Sequence, residues 1–387
     1  MLGPPAARTR DPTPEVVRHV TGPSRTARRR RRRRSPLWAR LCIVAGAVLL
    51  LGSGGALATG AVLVDHVNNS VHTDDLLGDG SPRRGTADVR GPIDMLLAGS
   101  DMRTSWQTSG EKPRTDSIMW LHIPATLDRA YLLSLPRDLR VDIPADGRTG
   151  LGGGEDRLNA SFPDGMRTVN DIAGGMQQLN RTVSRLTGAH FTMAGLVNWD
   201  GFTAITTELG GVTMCLDQGF TSHQPGFTNG PPLTFPKGCH HYDADKALKL
   251  VRQRDDVPGG DYGRQKLQQQ YVKQILKQAT SRGVVSNPTK IDSLLTAAGK
   301  AVTLDLGGYK PVDLALALHR ITPATIVTLQ VPHRAIWSGG TSEADGGTYE
   351  GEGLQQPLGD RLFAAMRTDR VDELLLTHPE LASTVPG

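Results

Sequence analysis

Ile93-Asp94-Met95-Leu96-Leu97-Ala98-Gly99-Ser100-Asp101 is a short apolar run that ends in Gly-Ser-Asp. It reads as a buried strand that delivers a carboxylate to a loop. A second such run, Ser117-Ile118-Met119-Trp120-Leu121-His122-Ile123, begins just after Asp116. A third, Ala130-Tyr131-Leu132-Leu133-Ser134-Leu135, is stopped by Pro136 and followed by Arg137-Asp138. If the first two strands are antiparallel neighbours, Asp101 and Asp116 meet at one end of the sheet.

Helical spacing follows. Val169, Ile172, Met176, Leu179, Val183 and Leu186 recur at three- and four-residue intervals, and Gly188 supplies a stop. Shorter helices are expected over Phe202–Leu209 and Asp243–Leu250, a longer one over Gly263–Thr280, and others near 289–300, 310–320 and 357–375. Strands are expected at Val212–Leu216 and Thr325–Val331. This alternation predicts an α/β domain with a mixed sheet covered on both sides.

The charge is unevenly placed. The 387 residues carry a formal +5, yet residues 1–40 hold twelve Arg against Asp11 and Glu15, which leaves the remainder negative. The run Arg28–Arg34 directly precedes Leu41–Val64, which contains no charged residue. A stretch of that length spans a bilayer, and the flanking charge places the N-terminus inside and the rest outside. The expected organisation is therefore a basic tail (1–40), a transmembrane helix (41–64), a linker (65–90) and an extracytoplasmic domain (91–387). A cleaved signal ending near Ala56-Leu57-Ala58 is the alternative. The arginines suit topology and anionic lipid, not nucleic acid. Cys215 and Cys239 would lie outside, where disulfides persist; a bridge is expected between them, with two free thiols as the alternative.

Two carboxylates with no His or Cys beside them suit a hard cation such as Mg²⁺. Arginines at 114, 137, 252, 254 and 264 suit phosphate oxygens, because the planar guanidinium matches them and stays charged. Arg252 and Arg254 share a direction if the segment is extended, and Arg264 and Gln268 share a face if it is helical. Each of these taken alone is equally a surface ion pair or cap.

Ile93–Arg103, Arg114–Ile123, Leu132–Pro144, Asn198–Phe202, Leu209–Val212 and Ala247–Gln270 resemble, in order, the motifs of the LytR-CpsA-Psr family across about residues 92–280. The Cys215/Cys239 pair resembles members from high-GC Gram-positive bacteria. The resemblance implies an α-β-α sandwich and transfer of a phosphate-linked glycan from a polyprenyl-pyrophosphate carrier in the membrane to peptidoglycan. It implies Asp101 and Asp116 as ligands of Mg²⁺ (or Mn²⁺), and Arg114, Arg137, Arg252, Arg254 and Arg264 on the pyrophosphate. Arg103 and Gln268 would support them, and Asn159 matches a position near the site, beside Arg157 where Lys is usual. Tyr242 and Ala244 depart from the usual Leu and Gly. Asp101 or Asp138 would accept the proton of the attacking hydroxyl. The prenyl chain is expected along the helix of Ile172, Met176 and Leu179, with core packing as the other use of those residues.

Overall fold

The structure, a computed structural model, describes residues 72–78, 88–102, 110–223, 232–254, 256–281, 283 and 287–383. The basic tail, the expected membrane span, most of the expected linker and Arg103 lie outside the described residues. Among the described residues, no helix is long and apolar enough to cross a membrane.

The strands, in chain order, are β1 (His72–Thr73), β2 (Ile93–Ser100), β3 (Thr115–Ile123), β4 (Ala130–Leu135), β5 (Arg140–Ile143), β6 (Gly154–Arg157), β7 (Met193–Asn198), β8 (Val212–Leu216), β9 (Phe220–Ser222), β10 (Leu233–Phe235), β11 (Gly238–Tyr242), β12 (Val302–Asp305), β13 (Ile326–Gln330), β14 (His333–Ser338) and β15 (Thr348–Leu354). The helices are α1 (Ser161–Gly165), α2 (Ile172–Thr187), α3 (Trp199–Glu208), α4 (Ala244–Val251), α5 (Gly260–Ala279), α6 (Pro288–Ala301), α7 (Pro311–Ala317), α8 (Leu358–Arg367) and α9 (Val371–Thr377).

Seven strands form one mixed sheet in the order β1-β12-β7-β2-β3-β4-β13. β2 is antiparallel to β3 and parallel to β7, while β4 is antiparallel to β3 and parallel to β13. β2–β4 are apolar enough for both faces to be covered. On one face Leu96, Trp120 and Leu133 pack with Met176, Leu179 and Val183 of α2 and Phe363 and Met366 of α8. On the other, Met119, Leu132 and Met193 pack with Leu314 of α7 and the flank of α5 at Val272 and Leu276. The expected α-β-α layering is therefore present. A third cluster joins the β8–β11 hairpin to α4 and α5 through Val212, Met214, Leu250 and Leu267.

α2 begins where the Asp171 side chain accepts from Gly174 N–H and ends at Gly188, whose φ of 69° is left-handed. The helix expected near 357–375 is two helices, α8 and α9, because Asp369 between them has φ 55°. Part of the stretch expected as linker belongs to the fold: β1 pairs with β12, and Leu76 and Leu77 are buried in the core. Cys215 and Cys239 are directly opposite in the β8–β11 pair and form a disulfide.

Candidate functional site

The site is built at the end of the sheet where β2 leaves and β3 enters. The β2–β3 register changes there. Gly99 faces Ser117 and Ser100 faces Thr115, so Asp116 is an extra residue, a β-bulge. A bulge turns consecutive side chains toward one side. Asp116 and Ser117 thus both border the same groove. Asp101 lies across the same end. Its backbone N–H donates to Arg114 O at 3.2 Å and its Oδ1 accepts from Arg114 N–H at 2.7 Å. The antiparallel meeting of the two acidic segments expected from sequence is present. The Arg114 side chain is exposed.

Arg137 links the carboxylates. Its Nη1 donates to Asp116 and its Nε lies 3.5 Å from Asp138 Oδ2. Burial opposes the charge of Arg137, but Asp116 and Asp138 outweigh it and hold its pKa above the usual guanidinium value. Asp138, only 6% exposed at its side chain, also faces Arg157 at 3.7 Å and Arg254 at 3.6 Å. One carboxylate therefore underlies three guanidiniums. Asn159 is buried; its N–H donates to Arg137 O at 2.9 Å, while its side-chain Oδ1 has no partner.

Arg264 lies deeper on α5, paired with Asp261, and its Nε is buried without a partner. Burial, followed by the effect of neighbouring Arg137 and Arg254, lowers its pKa, with Asp261 and Asp116 opposing. Gln268, one turn further along, borders the groove and donates to Val251 O at 3.4 Å.

Arg252 and Arg254 do not lie on an extended strand. Arg252 is the C-cap of α4 with helical φ/ψ, and Gln253 between them is wholly buried. The two arginines consequently go to different partners. Arg254 reaches Asp138, while the Arg252 guanidinium stacks on Trp199, its Cζ 3.4 Å from the ring centroid.

Behind Arg252, Asp116 and Gln268 runs a partly open groove. Leu97, Val197, Phe202, Leu248, Tyr271 and Val272 line it, between the sheet and helices α3–α5. The Phe202 and Tyr271 rings stack with centroids 4.0 Å apart. Burial raises the pKa of Tyr271, so its hydroxyl stays protonated and bonds to Thr206 at 2.7 Å. Of the two uses expected for the apolar residues of α2, core packing is the one present. Met176 and Leu179 have no exposed surface, because α8 and the sheet close over them. The apolar opening is on the opposite face of the sheet.

The profile of the LytR_cpsA_psr family matches residues 62–355. The chain belongs to this family. It is 28% identical over 317 residues to the cell wall biosynthesis protein LcpA of Corynebacterium glutamicum, covering 75% of this chain and 58% of that protein. The chain thus spans little more than half of that relative's length. It is 30% identical to the polyisoprenyl-teichoic acid–peptidoglycan teichoic acid transferase TagU of Oceanobacillus iheyensis, covering 73% of this chain and 81% of the relative. The crystal structure of Bacillus subtilis TagV superposes with a TM-score of 0.55 at 20% identity, covering 74% of this chain and 99% of that one, a likeness of fold. Trp199 and Tyr271 also line the groove, and neither is among the site residues expected from sequence. Trp199 stood inside the quoted Asn198–Phe202 motif, so a signal was available.

Proposed function

We propose that the chain is a membrane-anchored cell-wall transferase that moves a phosphate-linked glycan from a polyprenyl-pyrophosphate carrier to a peptidoglycan hydroxyl outside the cell. One observation carries this reading: an apolar groove opens directly onto a cluster of arginines built around two buried or half-buried carboxylates. The groove suits a prenyl chain, and the cluster suits the diphosphate that ends it.

The prenyl chain lies between Val197, Phe202 and Val272. Arg252 and Gln268, at the mouth, meet the lipid-side phosphate. Arg137, Arg254 and Arg264 neutralise the glycan-side phosphate. Asp138 positions Arg137, Arg157 and Arg254, and Asp101 is assigned the proton of the attacking hydroxyl. The acceptor oxygen bonds to the glycan-side phosphorus as the bond from that phosphorus to the bridging oxygen breaks. The proton passes to the Asp101 carboxylate, and polyprenyl phosphate leaves with the electron pair.

Asp101 and Asp116 offer oxygen donors at one edge, a donor set that fits Mg²⁺ bound through two carboxylates and substrate phosphates. Bound there, the ion would neutralise charge on the diphosphate.

The test uses purified protein, lipid-pyrophosphate glycan and peptidoglycan. Wild-type protein is expected to yield wall-linked glycan phosphate and polyprenyl phosphate. Arg252→Ala with Arg254→Ala is expected to lose at least about 10²-fold in rate with an unchanged melting temperature. Normal turnover by that variant would remove the phosphate-clamp assignment, and lipid phosphate released only by water would replace transfer with hydrolysis.

A further inference from the structure

The C-terminal hairpin β14–β15 closes onto the arginine cluster. Glu352 N–H donates to Asp138 O at 2.8 Å, and Gly351, at φ 137°, lies so close to Asp138 O that a Cβ there would sit 2.7 Å from it. Glu350 is the extra residue of a bulge: Ile336 pairs with Gly351 and Trp337 with Tyr349. The bulge gathers two aromatic rings at the hairpin edge. Trp337 and Tyr349 meet edge to face with centroids 5.6 Å apart, and both are half-exposed.

Tyr349 is fixed in place. Its hydroxyl donates to Glu352 Oε1 at 2.8 Å, and Glu352 Oε2 lies 2.9 Å from His333 Nδ1. The His333 ring stacks on Tyr262 of α5 at 4.1 Å. Arg157, which faces Asp138, lies over the Tyr349 ring at 5.3 Å and donates to Tyr349 O. The result is an aromatic corner connected to the groove through Asp116, Arg137, Asp138 and Arg157 in turn.

We propose that Trp337 and Tyr349 form the subsite for a sugar ring of the acceptor glycan strand. This rests on the transfer reading above and names where its acceptor sits. A pyranose has an apolar C–H face and a polar rim. A fixed pair of amphipathic rings beside Arg157 and Glu350 matches both, whereas a lipid already has the groove. Displacement at phosphorus requires the incoming hydroxyl to arrive opposite the leaving polyprenyl phosphate. The leaving group lies in the groove, whose lining includes neither ring, and the aromatic corner meets the cluster instead through Arg157 and Asp138, so the corner takes the acceptor and not the donor lipid.

The experiment measures binding of lipid-free peptidoglycan glycan fragments to the full chain by calorimetry, and KM for donor and acceptor separately in the transfer assay. Trp337→Ala is expected to weaken fragment binding and raise acceptor KM by about 3- to 10-fold, with donor KM unchanged. Trp337→Phe is expected to recover part of the loss, which separates ring stacking from general damage. Wild-type protein that binds no fragment, a Trp337→Ala variant that binds as wild type, or a rise in donor KM alone would each overturn the proposal; the last would give the corner to the donor glycan. Fragment binding that depends on Trp337 in a protein that transfers nothing would keep the subsite and sink the transfer reading instead.

Discussion

Arg254 Nη2 lies 3.6 Å from Asp138 Oδ2, although one residue follows α4 and the other follows β4. Two more guanidiniums converge on the same carboxylate, which has almost no solvent of its own. Removing the charge leaves three cations repelling one another around a neutral group. Asp138→Asn should therefore cost about 1–3 kcal/mol of stability, read from the denaturant midpoint. Turnover should fall by more than the unfolded fraction explains. Wild-type stability in that variant would mean that the arginines are held by other contacts.

Trp199 carries the Arg252 guanidinium on its ring face at 3.4 Å. Half-exposed cation–π contacts are worth about 0.5–2 kcal/mol, so Trp199→Ala should raise donor KM by about 2- to 30-fold, while Trp199→Phe should retain most of the affinity. Steady-state kinetics with varied lipid-linked donor checks this. An equal loss in both variants would point to disruption of α3 and not to stacking.

Strands β2, β3, β4 and β13 and the meeting of the acidic segments were legible in sequence because apolar runs there stop at polar residues or at Pro136, whereas β1, β7 and β12 of the same sheet were not expected. What the pattern could not carry was geometry within those ends. No residue type marks Asp116 as a bulge, since the insertion is defined only by its partner strand. Arg252 and Arg254 look extended by spacing, yet α4 runs up to Val251 and hands the pair a turn. Ile172, Met176 and Leu179 have the same apolar spacing whether they face a ligand or a neighbour, and α8, almost two hundred residues later in the chain, decided it. The hairpin that abuts Asp138 lies in the last hundred residues, outside the region of motif resemblance.

The groove gives a prediction about chain length. Val197 on β7 is half-buried and lines the space beneath Phe202 and Val272. Val197→Trp should fill part of that space and exclude the far portion of a long prenyl chain. Long-chain donors should then lose about tenfold or more in kcat/KM, on the scale of several buried methylenes, while short-chain analogues keep theirs. The comparison of the two donors on one variant is the measurement. Equal losses would show that the chain lies elsewhere.

His122 sits wholly buried between two carboxylates, with Nδ1 2.7 Å from Asp94 and Nε2 2.6 Å from Asp369. Both ring nitrogens must donate, so the ring is a cation. Burial works against that charge, but the hydrogen bonds and charges of Asp94 and then Asp369 outweigh it and raise the pKa above its ordinary value. A group raised in the folded state stabilises fully below its unfolded pKa, about 6.5, and loses that contribution as pH climbs through the folded value. The fold should therefore weaken on the alkaline side, where the tie from β3 to the α8–α9 turn loses its charge. Asp369→Asn should cost about 1–2 kcal/mol at pH 5.5 and less at pH 9, because only the charged ring needs the second carboxylate. Thermal melts of both proteins across that range provide the check. A difference that stayed constant with pH would mean that His122 is neutral and that Asp369 acts through its bond to Ala125 N–H alone.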